Sequence, residues 1–215
     1  MRIYFLGGGD VKKRKCKGIY ERAFREVCKR PKVLMLPWTT TSEEKRERYK
    51  KIIKEYFEDL GAEVKFAEAS EPIEEIRRKV SASDVIYLPG GEPDVFMNYA
   101  RGKRLGKLLK RFQGVIIGNS AGALVLCKEC LITRDEEYSE TMVIPGLGVV
   151  DFCVEVHYDP SKDEELKELS RDRKIYAIPE RCALIFDGQE FETIGTIYLF
   201  YKGKKHTSSG QRNDF

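Results

Sequence analysis

Short apolar runs alternate with longer stretches of helical period along this chain. Residues 1–6, 32–37, 62–67 and 85–88 are four to six residues long and rich in Ile, Val, Leu and aromatic side chains. That length and composition predict strands buried on both faces. Between them, 19–29 places Ile19, Ala23, Phe24, Val27 and Cys28 on one side of a helix, and 73–80 and 104–112 also read as helical. Thr41-Ser42-Glu43-Glu44 opens a longer helix, with a hydroxyl cap followed by carboxylates in the first turn. Gly61, just past Leu60, closes it. Strand and helix in alternation predict an α/β fold, a mostly parallel sheet with helices on both faces.

The pattern changes in the last third. Residues 176–178, 183–186 and 196–201 are short apolar runs separated by the turns Asp187-Gly188 and Lys202-Gly203. They predict a short antiparallel C-terminal extension. The polar stretch Ser208-Ser209-Gly210-Gln211 is expected to be a mobile tail. No linker or internal repeat interrupts residues 1–215, so a single α/β domain is expected.

One run stands apart from this periodicity. Gly114-Val115-Ile116-Ile117-Gly118-Asn119-Ser120-Ala121-Gly122-Ala123 reads as a buried strand, a Gly-x-Ser-x-Gly turn and a small-residue helix start. A sharp strand–helix turn of this kind lifts one serine hydroxyl clear of the backbone, as a nucleophile elbow does. The amide of Ala121, at the head of the following helix, is placed to stabilise an oxyanion. By contrast, Gly7-Gly8-Gly9 is not a dinucleotide fingerprint, because Lys12 stands where the third glycine belongs.

Composition narrows the partners. The 39 basic and 35 acidic residues leave a net charge of +4, small against so many mixed charges. Nucleic-acid binding is therefore not expected, and Lys12-Lys13-Arg14-Lys15 reads as a solvated patch. No apolar run reaches the ~20 residues of a membrane span. Residues 1–6 read as a strand and not as a signal peptide, so a cytoplasmic protein is expected. The six cysteines, at 16, 28, 127, 130, 153 and 182, include one Cys-x-x-Cys pair with no second pair or histidines to complete a zinc site. Free thiols are expected, with no metal and no cofactor.

A serine needs a base to take its proton. The chain has two histidines. His206 sits in a basic stretch after the last apolar run and reads as a surface residue. His157 ends the alternation Val154-Glu155-Val156 and is followed by the breaker Asp159-Pro160, a position suited to a site at a strand end. A carboxylate should hold the imidazole in its working tautomer. Asp135, Glu136, Glu137, Glu140, Glu155 and Asp159 are candidates, and spacing does not choose among them.

Leu88-Pro89-Gly90-Gly91, Gly118-Asn119-Ser120-Ala121-Gly122-Ala123 and Val156-His157 together resemble the dipeptidase E family of serine peptidases, which includes cyanophycinase-like enzymes. The likeness extends to the closing strands around Ile178-Pro179-Glu180. It implies a fold like the class I glutamine amidotransferases, with serine in place of their elbow cysteine. It implies Ser120 as nucleophile, His157 as base and Asp135 as the best match to the acid, with Glu136 and Glu137 open. It also implies Gly91 and Ala121 as oxyanion donors. The expected activity is exopeptidase cleavage of dipeptides or short peptides through an acyl-enzyme, in a monomer or homodimer. A cyanophycinase-like or isoaspartyl-type hydrolase, or a non-catalytic binding protein on the same fold, are the alternatives. An α/β-hydrolase esterase would share the order Ser, acid, His but lacks here the His-Gly-Gly-Gly oxyanion loop.

Two departures bear on specificity. Glu92 follows the Gly-Gly turn where the aspartyl dipeptidases carry a small or amide residue. Ser161-Lys162-Asp163-Glu164-Glu165 stands where they are arginine-rich. Glu92 and Asn119 are candidate substrate-binding residues, Glu92 as partner of a substrate α-ammonium.

Overall fold

A computed structural model describes residues 1–209. The strands β1 (Arg2–Leu6), β2 (Lys32–Met35), β3 (Glu63–Phe66), β4 (Val85–Leu88) and β5 (Val115–Asn119) form the parallel part of a seven-stranded sheet. The hairpin β10 (Ala183–Phe186) and β11 (Phe191–Ile194) adds to it antiparallel on β1. The resulting order is β11-β10-β1-β5-β4-β2-β3. β5 therefore lies between β1 and β4, and its carboxyl end opens between theirs. In open parallel sheets this is where ligand crevices form.

The period-2 alternation within each strand decides which side each helix covers. Tyr4, Leu6, Val33, Met35, Tyr87 and Ile117 point to one face. There they pack with α1 (Lys17–Arg25) and α2 (Glu43–Asp59) through Tyr20, Phe24, Ile53, Tyr56 and Phe57. Ile3, Phe5, Leu34, Ile86, Leu88 and Ile116 point to the other. That face is covered by α3 (Ile73–Ser81), α4 (Pro93–Ala100), α5 (Leu105–Leu109) and α6 (Ala121–Leu124). Ser42 caps α2 as its sequence predicts, accepting the Lys45 amide at 3.2 Å.

The second face also carries what the apolar pattern left incomplete. The hairpin β6 (Glu129–Ile132) and β7 (Met142–Pro145) leads into β8 (Cys153–Val156), a 3-10 turn over Pro160–Lys162 and α7 (Asp163–Leu169). β8 pairs in parallel with β9 (Ile175–Ile178), opposing Val156 to Ile178. β12 (Thr196–Tyr201) and β13 (Lys204–Ser209) complete a second sheet of order β13-β12-β9-β8.

The C-terminal strands thus divide. β10 and β11 form the antiparallel extension, whereas β9 and β12 build a separate sheet. The physical reason is burial, since Val154, Val156, Tyr176 and Ile178 join the core on the second face of the main sheet. Ser208 and Ser209, expected in a mobile tail, belong to β13, with Ser209 opposite Thr196. Gly210 and Gln211 lie outside the described residues. All six cysteines are free thiols. No helix among the described residues is long and apolar enough to cross a membrane.

Candidate active site

Ser120 sits between β5 and α6 with φ 52 and ψ −118. A non-glycine residue holds such a backbone only where its surroundings over-determine it. Those surroundings are visible. The Ser120 amide donates to Leu6 O at 3.0 Å, and its carbonyl accepts from Ala123 at 2.8 Å and Leu124 at 3.2 Å. Gly122 lets the helix start lie on β4, since a Cβ there would stand 2.0 Å from the Leu88 carbonyl oxygen. The elbow is clamped between two strands, and its hydroxyl faces the cleft.

The imidazole arrives from the second sheet. His157 follows β8 directly, with φ 51. Its amide donates to Gly7 O at 2.7 Å, while the amide of Arg181 donates to Gly8 O at 2.9 Å. The segments after β1, β8 and β9 are thereby stitched into one unit. The ring rests on Gly8: a Cβ there would lie 2.1 Å from His157 Cε1, and Gly8 itself has φ 109. Only glycine provides both that close approach and that backbone. Tyr158 secures the next step, donating to Asp163 at 2.6 Å and accepting from Lys205 at 2.6 Å. Burial works to raise the Asp163 carboxyl, but the bonds from Tyr158 and Lys205 outweigh it and hold the group ionised below its usual range.

Ser120 Oγ lies 2.8 Å from His157 Nε2, and His157 Nδ1 lies 3.2 Å from Glu180 Oε1. The structure places Glu180, and not Asp135, against the imidazole. Asp135 is occupied elsewhere: its Oδ1 accepts the amides of Glu137 and Tyr138, each at 2.8 Å, and so shapes its own turn. Glu136 and Glu137 belong to that same exposed turn. Glu180 reaches the ring because β8 and β9 are parallel neighbours in register, so the residues just past each strand emerge side by side. A sequence signal existed. Glu180 follows the run Ile175–Ile178 much as His157 follows Cys153–Val156, at the carboxyl end of an apolar strand.

The cleft holds about 700 Å³ and is lined by residues from both faces of the main sheet. Asn119 lines it, 5 % exposed, and its Oδ1 has no hydrogen-bond partner among the described residues. Gly90 packs against the Ser120 Cβ, and Gly91, next in the chain, lines the same cleft. Ala121 heads α6, and an amide in the first turn of a helix has no acceptor within it. Glu92 is absent from the lining. It caps α4 through its carbonyl, which accepts from Phe96 at 3.2 Å, and its side chain stays half-buried beside the turn.

A second polar cluster was not anticipated from sequence. Glu155, only 2 % exposed, accepts from Thr133 Oγ1 at 2.8 Å and from Lys162 Nζ at 2.6 Å, and Lys162 also donates to Thr133. Burial raises the Glu155 carboxyl above its ordinary range, with Lys162 and Thr133 working in the opposite direction. All three residues line the cleft. Among the described residues no group of three or more His, Cys, Asp or Glu is placed to hold a metal.

Solved structures carry the same fold. A peptidase from an acI-B1 actinobacterium superposes with a TM-score of 0.73 at 19% identity, covering 100% of this chain and 96% of its own. A Listeria monocytogenes EGD-e protein assigned to peptidase E superposes with a TM-score of 0.68 at 22% identity, over 90% of this chain and 97% of its own. Curated protein sequences contain no match. The elbow serine and its imidazole both fall within residues 3–194, which match peptidase family S51, so this chain belongs to that family and is a serine peptidase.

Proposed function

We propose that this serine peptidase is an exopeptidase for dipeptides and short peptides whose first residue is acidic. The observation that carries the reading is the hydrogen-bonded line Ser120–His157–Glu180, at 2.8 and 3.2 Å, at the mouth of a cleft of about 700 Å³. Ser120 Oγ attacks the scissile carbonyl as His157 Nε2 takes its proton, and the Gly91 and Ala121 amides bind the oxyanion. Each such donor is worth about 3 kcal/mol in the transition state. Collapse breaks the C–N bond, the imidazolium protonates the departing amine, and an acyl-enzyme remains. His157 then takes a proton from water, which attacks the ester and restores the serine. Glu180 holds the ring and faces the positive charge that develops on it.

Support for an acidic first residue comes from Lys162. Two of its three ammonium protons go to Glu155 and Thr133, leaving one for a substrate carboxylate. The lysine stands in the stretch where the arginines of aspartyl dipeptidases would be expected. Asn119, with a buried unpartnered Oδ1, suits the substrate α-ammonium better than Glu92, which lies outside the cleft.

Free dipeptides varied at the first residue, assayed with wild type, Ser120→Ala and Lys162→Met, test the reading. Wild type should favour aspartate or glutamate first, Lys162→Met should flatten that preference, and Ser120→Ala should abolish turnover. Peptidase activity surviving in Ser120→Ala would refute the chemistry. An acidic preference surviving in Lys162→Met would refute the assignment of specificity. Fluorophosphonate labelling of Ser120 gives an independent check on the nucleophile.

A further inference from the structure

The cleft has a second wall that the triad and Lys162 leave unused. Val11, Lys12, Tyr49 and Ile52 line it from the first face of the main sheet, opposite the face that carries Thr133, Glu155 and Lys162. Tyr49 and Ile52 are three residues apart on α2 and so present one helical face. Tyr49 is 42 % exposed, one of three large hydrophobic side chains left so exposed among the described residues. The other two, Met142 and Val143, stand on β7, away from this wall. Lys12 is exposed and makes no ion pair among the described residues, whereas its neighbour Lys13 pairs with Asp10.

The chemistry of cleavage gives this wall an orientation. The imidazole must pass its proton to the departing amine, so the leaving group lies along the His157 edge of the scissile bond. The ring rests on Gly8. The chain runs from under it through Gly9 and Asp10 to Val11 and Lys12 and so leads to this wall. Resting on the peptidase reading above, we propose that Val11, Tyr49, Ile52 and Lys12 form the leaving-group subsite. Its apolar part takes a large apolar side chain on the second residue. Lys12 takes that residue's free carboxylate, which favours dipeptides over longer or C-terminally blocked peptides.

The test uses dipeptides with aspartate first, or the best first residue found in the screen, and Gly, Ala, Leu, Phe or Glu second, together with the amide of the Leu compound. In wild type, kcat/KM for Leu and Phe should exceed that for Gly by about tenfold or more, the discrimination expected for a side chain entering an apolar pocket. Tyr49→Ala should bring the Leu/Gly ratio close to one, and Tyr49→Phe should restore it. Lys12→Met should erase the preference for the free acid over the amide. A flat second-position profile in an enzyme that turns over these dipeptides would overturn the subsite alone, as would a Leu/Gly ratio that Tyr49→Ala leaves unmoved. Absence of turnover with every dipeptide would overturn the peptidase reading and this subsite with it.

Discussion

Glu180→Gln and Asp135→Asn together decide which carboxylate serves the imidazole. At 3.2 Å, opposite unit charges attract by about 1.3 kcal/mol in bulk water and about 5 kcal/mol at an effective dielectric constant near 20. The pair lies nearer the watery limit, because the side chains of His157 and Glu180 are 47% and 54% exposed. Solvent screening therefore places the lost stabilisation of the imidazolium at about 1–2 kcal/mol, or roughly 5–30-fold in kcat. This is less than the ~10⁴-fold cost of neutralising a buried triad aspartate. Asp135→Asn should stay within about threefold of wild type, since an amide oxygen can still accept the Glu137 and Tyr138 amides. Initial rates on the best dipeptide, with the fluorophosphonate labelling rate as a second readout, measure both. A Glu180→Gln enzyme within twofold of wild type, or an Asp135→Asn loss as large as that of Glu180→Gln, would refute the assignment.

Two further outcomes follow from the same geometry. Gly8→Ala should cost about 100-fold or more in kcat, because the new methyl occupies the imidazole's place and small misplacements of a reacting group are expensive. Its melting temperature should drop by only about 2–4 °C for each kcal/mol of backbone strain, so circular dichroism alongside kinetics separates the two effects. Glu155 makes a pH prediction. Its folded carboxyl is raised by burial, so the folded state holds that proton to higher pH than the unfolded chain does. Stability from this group is present below the ordinary glutamate value and is lost as pH rises through the raised one, by at most about 1.4 kcal/mol per pH unit for one proton. Glu155→Gln should remove that slope from the melting temperature measured against pH, and an unchanged slope would contradict it.

What the sequence determines here is local. Strand and helix alternation, the Ser42 cap and the Gly-x-Ser-x-Gly elbow each depend on residues within a few positions of one another, and each is found where the pattern puts it. His157 was legible for a related reason, as one of two histidines and the one ending an apolar strand. That Glu180 and no other acid partners that histidine was not legible, although Glu180 too follows an apolar run. Glu180 meets it because β8 and β9 pair in parallel across an intervening helix, and no spacing rule selects that pairing from the candidate acids. The same holds for Thr133, Glu155 and Lys162, brought together from a hairpin, a strand and a 3-10 turn. It holds again for the cleft's two walls, which lie on opposite faces of one sheet. Backbone sterics and periodic burial are written into neighbouring residues, whereas the contacts that complete this site cross loops of many residues. They are decided by which buried strands become neighbours when the second sheet packs against the first.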